Sequence, residues 1–289
     1  MLVDLISVVN REGLTLDGAF YAPAADTPDR GPVDAMLLIH GSRGNFCDPA
    51  TKSMAADLSA QGIACLALNT NAHDTIWYHP PSDGYKGNAF EILENTMSDL
   101  RAGIDHLEQR GYRAIGLLGH SMGAVRVTYY TATQDDPRVA AVVPVSPVRL
   151  SYSHYLESED AEEFRANLET AQRLVGEGDP DGVFRVNFPI PQFFSAASYL
   201  DKHGPFEKYN LINLADRIRV PILALNGSRE THTRLKGMAQ DLARAAANSP
   251  RASAIMVDEG EHSLVNRTAE ASAAVLQWLT ALALQESPV

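Results

Sequence analysis

Three residue types that together perform acyl transfer, a serine, an imidazole and a carboxylate, stand in this 289-residue chain in turns that follow apolar runs. The serine is the most constrained of them. In Gly119-His120-Ser121-Met122-Gly123 a glycine lies two positions before and two after Ser121. A sharp strand-to-helix turn needs that spacing, because a serine held in strained backbone leaves no room for side chains there. The run Ala114-Ile115-Gly116-Leu117-Leu118 precedes it as a buried strand would, and residues 124–133 follow without a proline, as a helix would. A plain helix N-cap would account for the serine but not for both glycines.

The other two members follow in the order acid, then base. Val220-Pro221-Ile222-Leu223-Ala224-Leu225 reads as a buried strand, and the turn Asn226-Gly227-Ser228-Arg229-Glu230 ends on a carboxylate, Glu230. A carboxylate opening the next helix would also suit that helix's dipole, so a surface role for Glu230 is the competing reading. Ala252-Ser253-Ala254-Ile255-Met256-Val257 reads as a last strand, and the turn Asp258-Glu259-Gly260-Glu261-His262-Ser263 carries the base, His262. Nine histidines are present, so position rather than identity selects this one. A hydroxyl becomes a nucleophile when an imidazole accepts its proton, and the carboxylate fixes the tautomer and stabilises the imidazolium. The oxyanion needs preorganised donors: the amide of Met122 is one, and a second is expected from the turn His40-Gly41-Ser42-Arg43-Gly44-Asn45 after the strand Ala35-Met36-Leu37-Leu38-Ile39.

On these residues the chain resembles the serine hydrolases of the α/β-hydrolase superfamily, of the esterase type, over nearly its whole length. The resemblance implies a mostly parallel eight-stranded sheet flanked by helices, with an inserted, mainly helical cap. It also implies that the Ser42 amide is the second oxyanion donor and that His40 is structural. Glu230 departs from the commoner pattern, in which Asp holds the acid position. Residues 169–195 carry a looser similarity to fungal siderophore ester hydrolases.

The elements that must position these side chains are legible as alternating strands and helices, the pattern of a parallel sheet covered on both faces. Residues 2–9 and 15–21 read as an opening hairpin. Asp48-Pro49 starts a helix that Gly62 closes. Phe90, Leu93, Met97, Leu100, Ile104 and Leu107 recur at helical steps up to Gly111, and residues 269–284 form the last helix. The roughly seventy residues between the strands ending near Val145 and beginning at Val220 exceed an ordinary connection. The expected division is therefore a core of 1–147 and 218–289 and a cap of 148–217. Within the cap a helix is expected over 158–175, its acidic start compensating the dipole. An aromatic and proline-rich stretch follows, from which Phe188, Phe193 and Phe194 are expected to wall the substrate pocket. Trp77 and Tyr78, in the loop 69–86, are a second expected wall; His120 and Arg43, beside the reacting groups, are expected to contact substrate, Arg43 offering a cation to a substrate carboxylate. His73, Asp74 and His79 match no standard metal-ligand spacing, so no metal is expected.

A chain that is 45% hydrophobic and 21% charged can bury a large core. A formal net charge of −12 disfavours nucleic acid and anionic membrane surfaces. Cys47 and Cys65 are too few for a disulfide framework. The first ten residues lack the features of a secretory signal and no run is long enough to span a bilayer, so a cytoplasmic location is the expectation, with a homodimer left open. The expected reaction is hydrolysis of a small or medium-sized, uncharged, partly apolar ester without any cofactor. A thioesterase, amidase or carbon-carbon hydrolase would use the same three residues, and a non-catalytic ligand receptor could retain the fold.

Overall fold

The computed structural model describes residues 3–24 and 32–286. Its elements in chain order are β1 (Asp4–Val9), β2 (Thr15–Tyr21), β3 (Ala35–Ile39), α1 (Pro49–Ala60), β4 (Ala64–Leu68), β5 (Trp77–His79), β6 (Gly84–Lys86), α2 (Thr96–Gln109), β7 (Ile115–His120), α3 (Met122–Thr133), β8 (Val139–Val145), α4 (Tyr152–Leu156), α5 (Ala161–Gly176), β9 (Val183–Val186), β10 (Gln192–Ser195), α6 (Ala196–His203), β11 (Ile222–Gly227), α7 (Met238–Ala245), β12 (Ala252–Val257) and α8 (Thr268–Glu286). Eight strands form one sheet in the order β1-β2-β4-β3-β7-β8-β11-β12. β1, β2 and β4 pair antiparallel and the rest of the sheet is parallel.

The central strands are apolar at nearly every position because both faces of the sheet are covered. Side chains alternate between two packed layers. Leu37, Ile39, Leu66 and Leu68 join Leu100, Ile104 and Leu107 of α2, Val125 of α3 and Leu242 of α7. Met36, Leu38, Cys65 and Ala67 join Met54 and Leu58 of α1 and Val275, Trp278 and Leu279 of α8 on the other face. Full burial of each large apolar side chain contributes about 1.5–3 kcal/mol relative to exposure. Cys65 lies in this core and Cys47 is exposed, both as free thiols. Among the described residues no helix is long and apolar enough to cross a membrane.

The opening hairpin forms as expected, with Leu2 outside the described residues. α1 has proline at its first turn and Gly62, at φ 97°, reverses the chain after it. The stripe from Phe90 to Leu107 is not one helix: Asn88–Phe90 and Leu93–Asn95 are short 3-10 turns, and the α-helix starts at Thr96. Leu93 is buried nonetheless, so its apolar character reports burial rather than helical continuity.

Between β8 and β11 the chain holds α4, α5, a hairpin and α6. The segment is mainly helical, as expected, and the residue pattern of the hairpin within it explains that one exception. In β9 and β10, Phe184 and Val186 face the protein across from Phe194 and Gln192, while Arg185 pairs with exposed Phe193. That is the two-residue period of a strand, which a search for helical steps reads as irregular. Phe164, Phe188, Phe194 and Tyr199 belong to the same buried cluster as the α2 and α3 side of the sheet, so the inserted segment shares the main core. Glu163, in the first turn of α5, accepts the backbone amides of Asn187 and Phe188 and so ties the helix to the loop between β9 and β10.

Candidate active site

Ser121 stands between β7 and α3 at φ 56° and ψ −112°, a strained conformation that costs on the order of 1–3 kcal/mol. The glycines on either side carry the reason it fits. A Cβ on Gly119 would lie 2.1 Å from the Gly123 carbonyl oxygen, and one on Gly123 would lie 2.2 Å from the Ile39 oxygen and 2.6 Å from the His40 oxygen. The missing side chains let the serine turn press against the end of β3, which puts the Gly41-Ser42 turn beside it. Met122 opens α3, so its amide has no carbonyl one helical turn earlier to bond.

Glu230 and His262 arrive on the turns after β11 and β12, strands paired in parallel register from Ile222↔Ala252 to Gly227↔Val257. A Cβ on Gly227 would sit 2.1 Å from the Gly260 oxygen, so glycine allows the two turns to approach. His262 Nδ1 lies 2.9 Å from Glu230 Oε1, and His262 Nε2 lies 2.9 Å from Ser121 Oγ. A carboxylate only accepts, so the proton of the neutral ring is on Nδ1 and the lone pair of Nε2 faces the hydroxyl. The Glu230 side chain is fully buried, and its second oxygen has no partner among the described residues.

Two further histidines hold the frame. His120 Nε2 lies 2.8 Å from the backbone carbonyl of His262. Burial, and next the neighbouring His262, lower its pKa to about 4, so it is neutral and donates that hydrogen bond. His40 is fully buried and its pKa falls to about 3, through burial first and then through Arg126. Its Nδ1 donates to the Gly41 carbonyl at 2.8 Å, and its Nε2 accepts the Thr70 amide at 3.2 Å.

Behind the serine lies a network that sequence reasoning missed. Arg126 of α3 donates from Nε to Glu91 Oε1 at 2.7 Å and from Nη1 to the His40 carbonyl at 2.8 Å. Lys202 of α6 donates to Glu91 Oε2 at 2.9 Å. Burial alone would raise the Glu91 carboxyl, but Arg126 and Lys202 outweigh it and hold it at about 2. One sign was visible: Arg126 is the single charged residue of the helix Met122–Thr133, and a buried guanidinium requires an acidic partner.

The serine and His262 open onto a cleft of about 280 Å³ that Ser42, Arg43, His120 and Met122 also line. This is near the lower limit of roughly 300 Å³ for small-molecule sites. Its apolar walls are Val148, Leu150, Pro189 and Ile190, and its polar walls include Asp48, Gln192, Lys202, His203 and Arg234. The expected aromatic walls lie elsewhere. Phe194 is fully buried against Tyr199 and His203, and Phe188 packs edge-on against Tyr155. Phe193 points outward from the hairpin and is exposed. Trp77 stacks on His73 and donates to the Asn71 carbonyl, while Tyr78 is exposed beside Tyr85 in the small β5-β6 ribbon. A larger depression of about 540 Å³, bordered by Phe188, His154 and His232, is not lined by Ser121, His262 or Glu230. His73 bonds Asp74 and His79 bonds Ser82.

Compared by sequence, the chain matches no protein-family model and no curated protein. Compared by structure, it is similar to the α/β hydrolase GrgF from Penicillium sp. sh18, at 15% identity and a TM-score of 0.72 over 98% of this chain and 100% of that one. It is also similar to Est1E from Butyrivibrio proteoclasticus, at 15% identity and a TM-score of 0.66 over 96% of this chain and 98% of that one. The Pyrococcus furiosus esterase Pf2001 aligns at 15% identity and a TM-score of 0.61 over 98% and 91%. These likenesses show the fold: the chain has the α/β-hydrolase architecture.

Proposed function

We propose that this chain is a serine esterase that cleaves a small, partly apolar carboxylic ester through a Ser121-His262-Glu230 triad. The observation that carries the reading is the unbroken hydrogen-bond chain from Glu230 Oε1 through both ring nitrogens of His262 to Ser121 Oγ, 2.9 Å at each step, at the wall of a cleft. His262 Nε2 takes the hydroxyl proton as Oγ bonds to the ester carbon, and the carbonyl π electrons move onto oxygen. The amides of Met122 and Ser42 receive that oxyanion. Collapse breaks the bond to the leaving oxygen, to which His262 returns the proton. Water, deprotonated by the same ring, then releases the acid from Ser121. Residues 148–217 act as a cap: Pro189, Ile190, Gln192, Lys202 and His203 bring its surface onto the cleft.

The esterase names borne by Pf2001 and by a domain from a Rhodothermus marinus protein agree with this reading, as does the structure of Est1E with ferulic acid bound. All three reacting residues come from one chain, so the chemistry requires no second copy. The test is a panel of aryl esters, acyl thioesters and anilides given to the wild type and to Ser121→Ala, with fluorophosphonate labelling followed by intact mass. Ester turnover and a single adduct on Ser121 are expected, with a loss of about 10³-fold or more in the variant. A folded Ser121→Ala protein that kept its rate would remove the nucleophile assignment.

A further inference from the structure

The cleft has cationic lining that the ester chemistry leaves unused. Its lining holds three cationic side chains, Arg43, Lys202 and Arg234, against one carboxylate, Asp48. In a chain of net charge −12, that local excess is a built feature of the cleft rather than a reflection of composition. The other two cations already have work: Arg43 reaches the Pro191 carbonyl at 3.3 Å, and Lys202 is bound to Glu91.

Arg234 is different. It is partly buried, and no carboxylate of the described residues lies within ion-pair distance of its guanidinium. Its Nε is buried without a hydrogen-bond partner. Tyr155 and Glu230 act on this guanidinium only at longer range and do not outweigh its burial; a guanidinium stays charged in proteins, so desolvating it without a bonded acidic partner is unfavourable.

His203 supplies the second, independent observation. It is 2% exposed, it lines the same cleft, and neither of its ring nitrogens has a hydrogen-bond partner among the described residues. Tyr199, Phe194 and Tyr155 hold the ring at centroid distances of 4.7, 5.6 and 5.9 Å. Burial keeps its pKa well below the ordinary value, so the ring is neutral and offers one N–H donor. Buried polar groups are normally satisfied, and those that are not mark a place for a missing partner.

We infer that the ester taken by this site carries a carboxylate, bound by the Arg234 guanidinium and a His203 ring N–H. The inference rests on the esterase reading and deepens it: the substrate is an acidic ester, not the uncharged one expected from sequence. The apolar walls Val148, Leu150, Pro189 and Ile190 then cover the carbon chain between the charged end and the reacting carbonyl.

The experiment compares kcat/KM for matched pairs of acidic and neutral esters. Monomethyl glutarate against methyl pentanoate places the charge on the acyl side; 4-acetoxybenzoate against phenyl acetate places it on the alcohol side. The wild type is expected to favour the acidic member of one pair at least tenfold, since charge-assisted hydrogen bonds are the stronger kind. That ratio is expected to fall toward one in Arg234→Gln and to be retained in large part by Arg234→Lys. Competition on the wild type covers the case in which the variants do not fold: glutarate is expected to slow phenyl acetate hydrolysis where glutaramide does not. No acid preference in either pair, a ratio unmoved by Arg234→Gln, or equal inhibition by glutarate and glutaramide overturns the proposal. Phenyl acetate turnover and Ser121 labelling separately report on the esterase reading, so a wild type that is active but indifferent to charge sinks only this inference.

Discussion

Arg126 donates to the carbonyl of His40, two residues before Ser42, across 2.8 Å. With Nε on Glu91, and Lys202 on the other Glu91 oxygen, this links four parts of the candidate site: the helix after Ser121, the turn holding Ser42, Glu91 and α6. Both cations and the carboxylate are buried, with side-chain exposures of 0%, 3% and 0%.

Removing one member of such a network strands the others. Replacing Glu91 by Gln leaves two buried cations facing a neutral amide, and the expected loss is about 3–5 kcal/mol in urea unfolding. The Arg126→Met, Glu91→Leu double variant removes the pair together and is expected to lose less stability than the sum of the two singles. A Glu91→Gln protein within about 1 kcal/mol of wild type would mean the network contributes little.

Stability should fall in acid in two stages. For His40 the folded value is about 3 against an ordinary 6.5. Between those values the unfolded chain binds a proton that the folded chain refuses. This contribution is therefore complete above pH 6.5 and declines as pH drops toward 3, by on the order of 5 kcal/mol in total. For Glu91, held at about 2 against 4.5, the stabilisation is present above pH 4.5 and is lost as pH falls toward 2. Unfolding free energies from pH 8 to pH 4 are expected to fall less steeply in His40→Gln than in the wild type, where Asp99, raised to about 7 by burial, pulls the other way; equal slopes in the two proteins would contradict a buried neutral His40.

Glycine substitutions test the packing of the serine turn. Ala at position 123 would drive a methyl to 2.2 Å from the Ile39 oxygen, a backbone atom that cannot turn aside. A loss of about 3 kcal/mol or more, or an insoluble product, is expected. Gly176→Ala, at the end of α5 with nothing within 4 Å of the new methyl, is the control. It is expected to be neutral or to stabilise by up to about 1 kcal/mol. Comparable melting shifts in the two variants would refute the steric account.

Ser121, Glu230 and His262, the proposed triad, could be picked out as candidates before the fold because each stands in a turn with a local sequence signature. Ser121 needs glycines at fixed offsets, and Glu230 and His262 sit in turns directly after apolar strands. The pocket walls obey no such local rule. Phe193 and Phe194 are adjacent and chemically identical, yet the strand period sends one outward and the other into the core. Trp77 and Tyr78 look equally suited to a wall until their loop folds on itself as the β5-β6 ribbon. Arg126 announces a buried acid, but Glu91 lies 35 residues away with no spacing rule connecting them. The same holds for Lys202, His203 and Arg234, which meet only because α6 and the loop after β11 converge on one cleft.

His120 was expected to touch substrate, and it does line the cleft, but its Nε2–H is committed to the carbonyl of His262. That bond holds the turn carrying His262, and on the proposed mechanism this makes His120 a positioning residue. His120→Phe keeps a ring of similar breadth and deletes the donor. Losing one hydrogen bond of about 1–1.5 kcal/mol frees the His262 turn to move, and about a tenfold fall in kcat is expected. KM should change little, because the loss falls on alignment rather than on binding. His120→Gln, whose amide can reach the same carbonyl, is expected to recover part of the rate. Steady-state kinetics on the two variants decide the matter: a rise in KM at constant kcat would instead return His120 to the substrate-binding role.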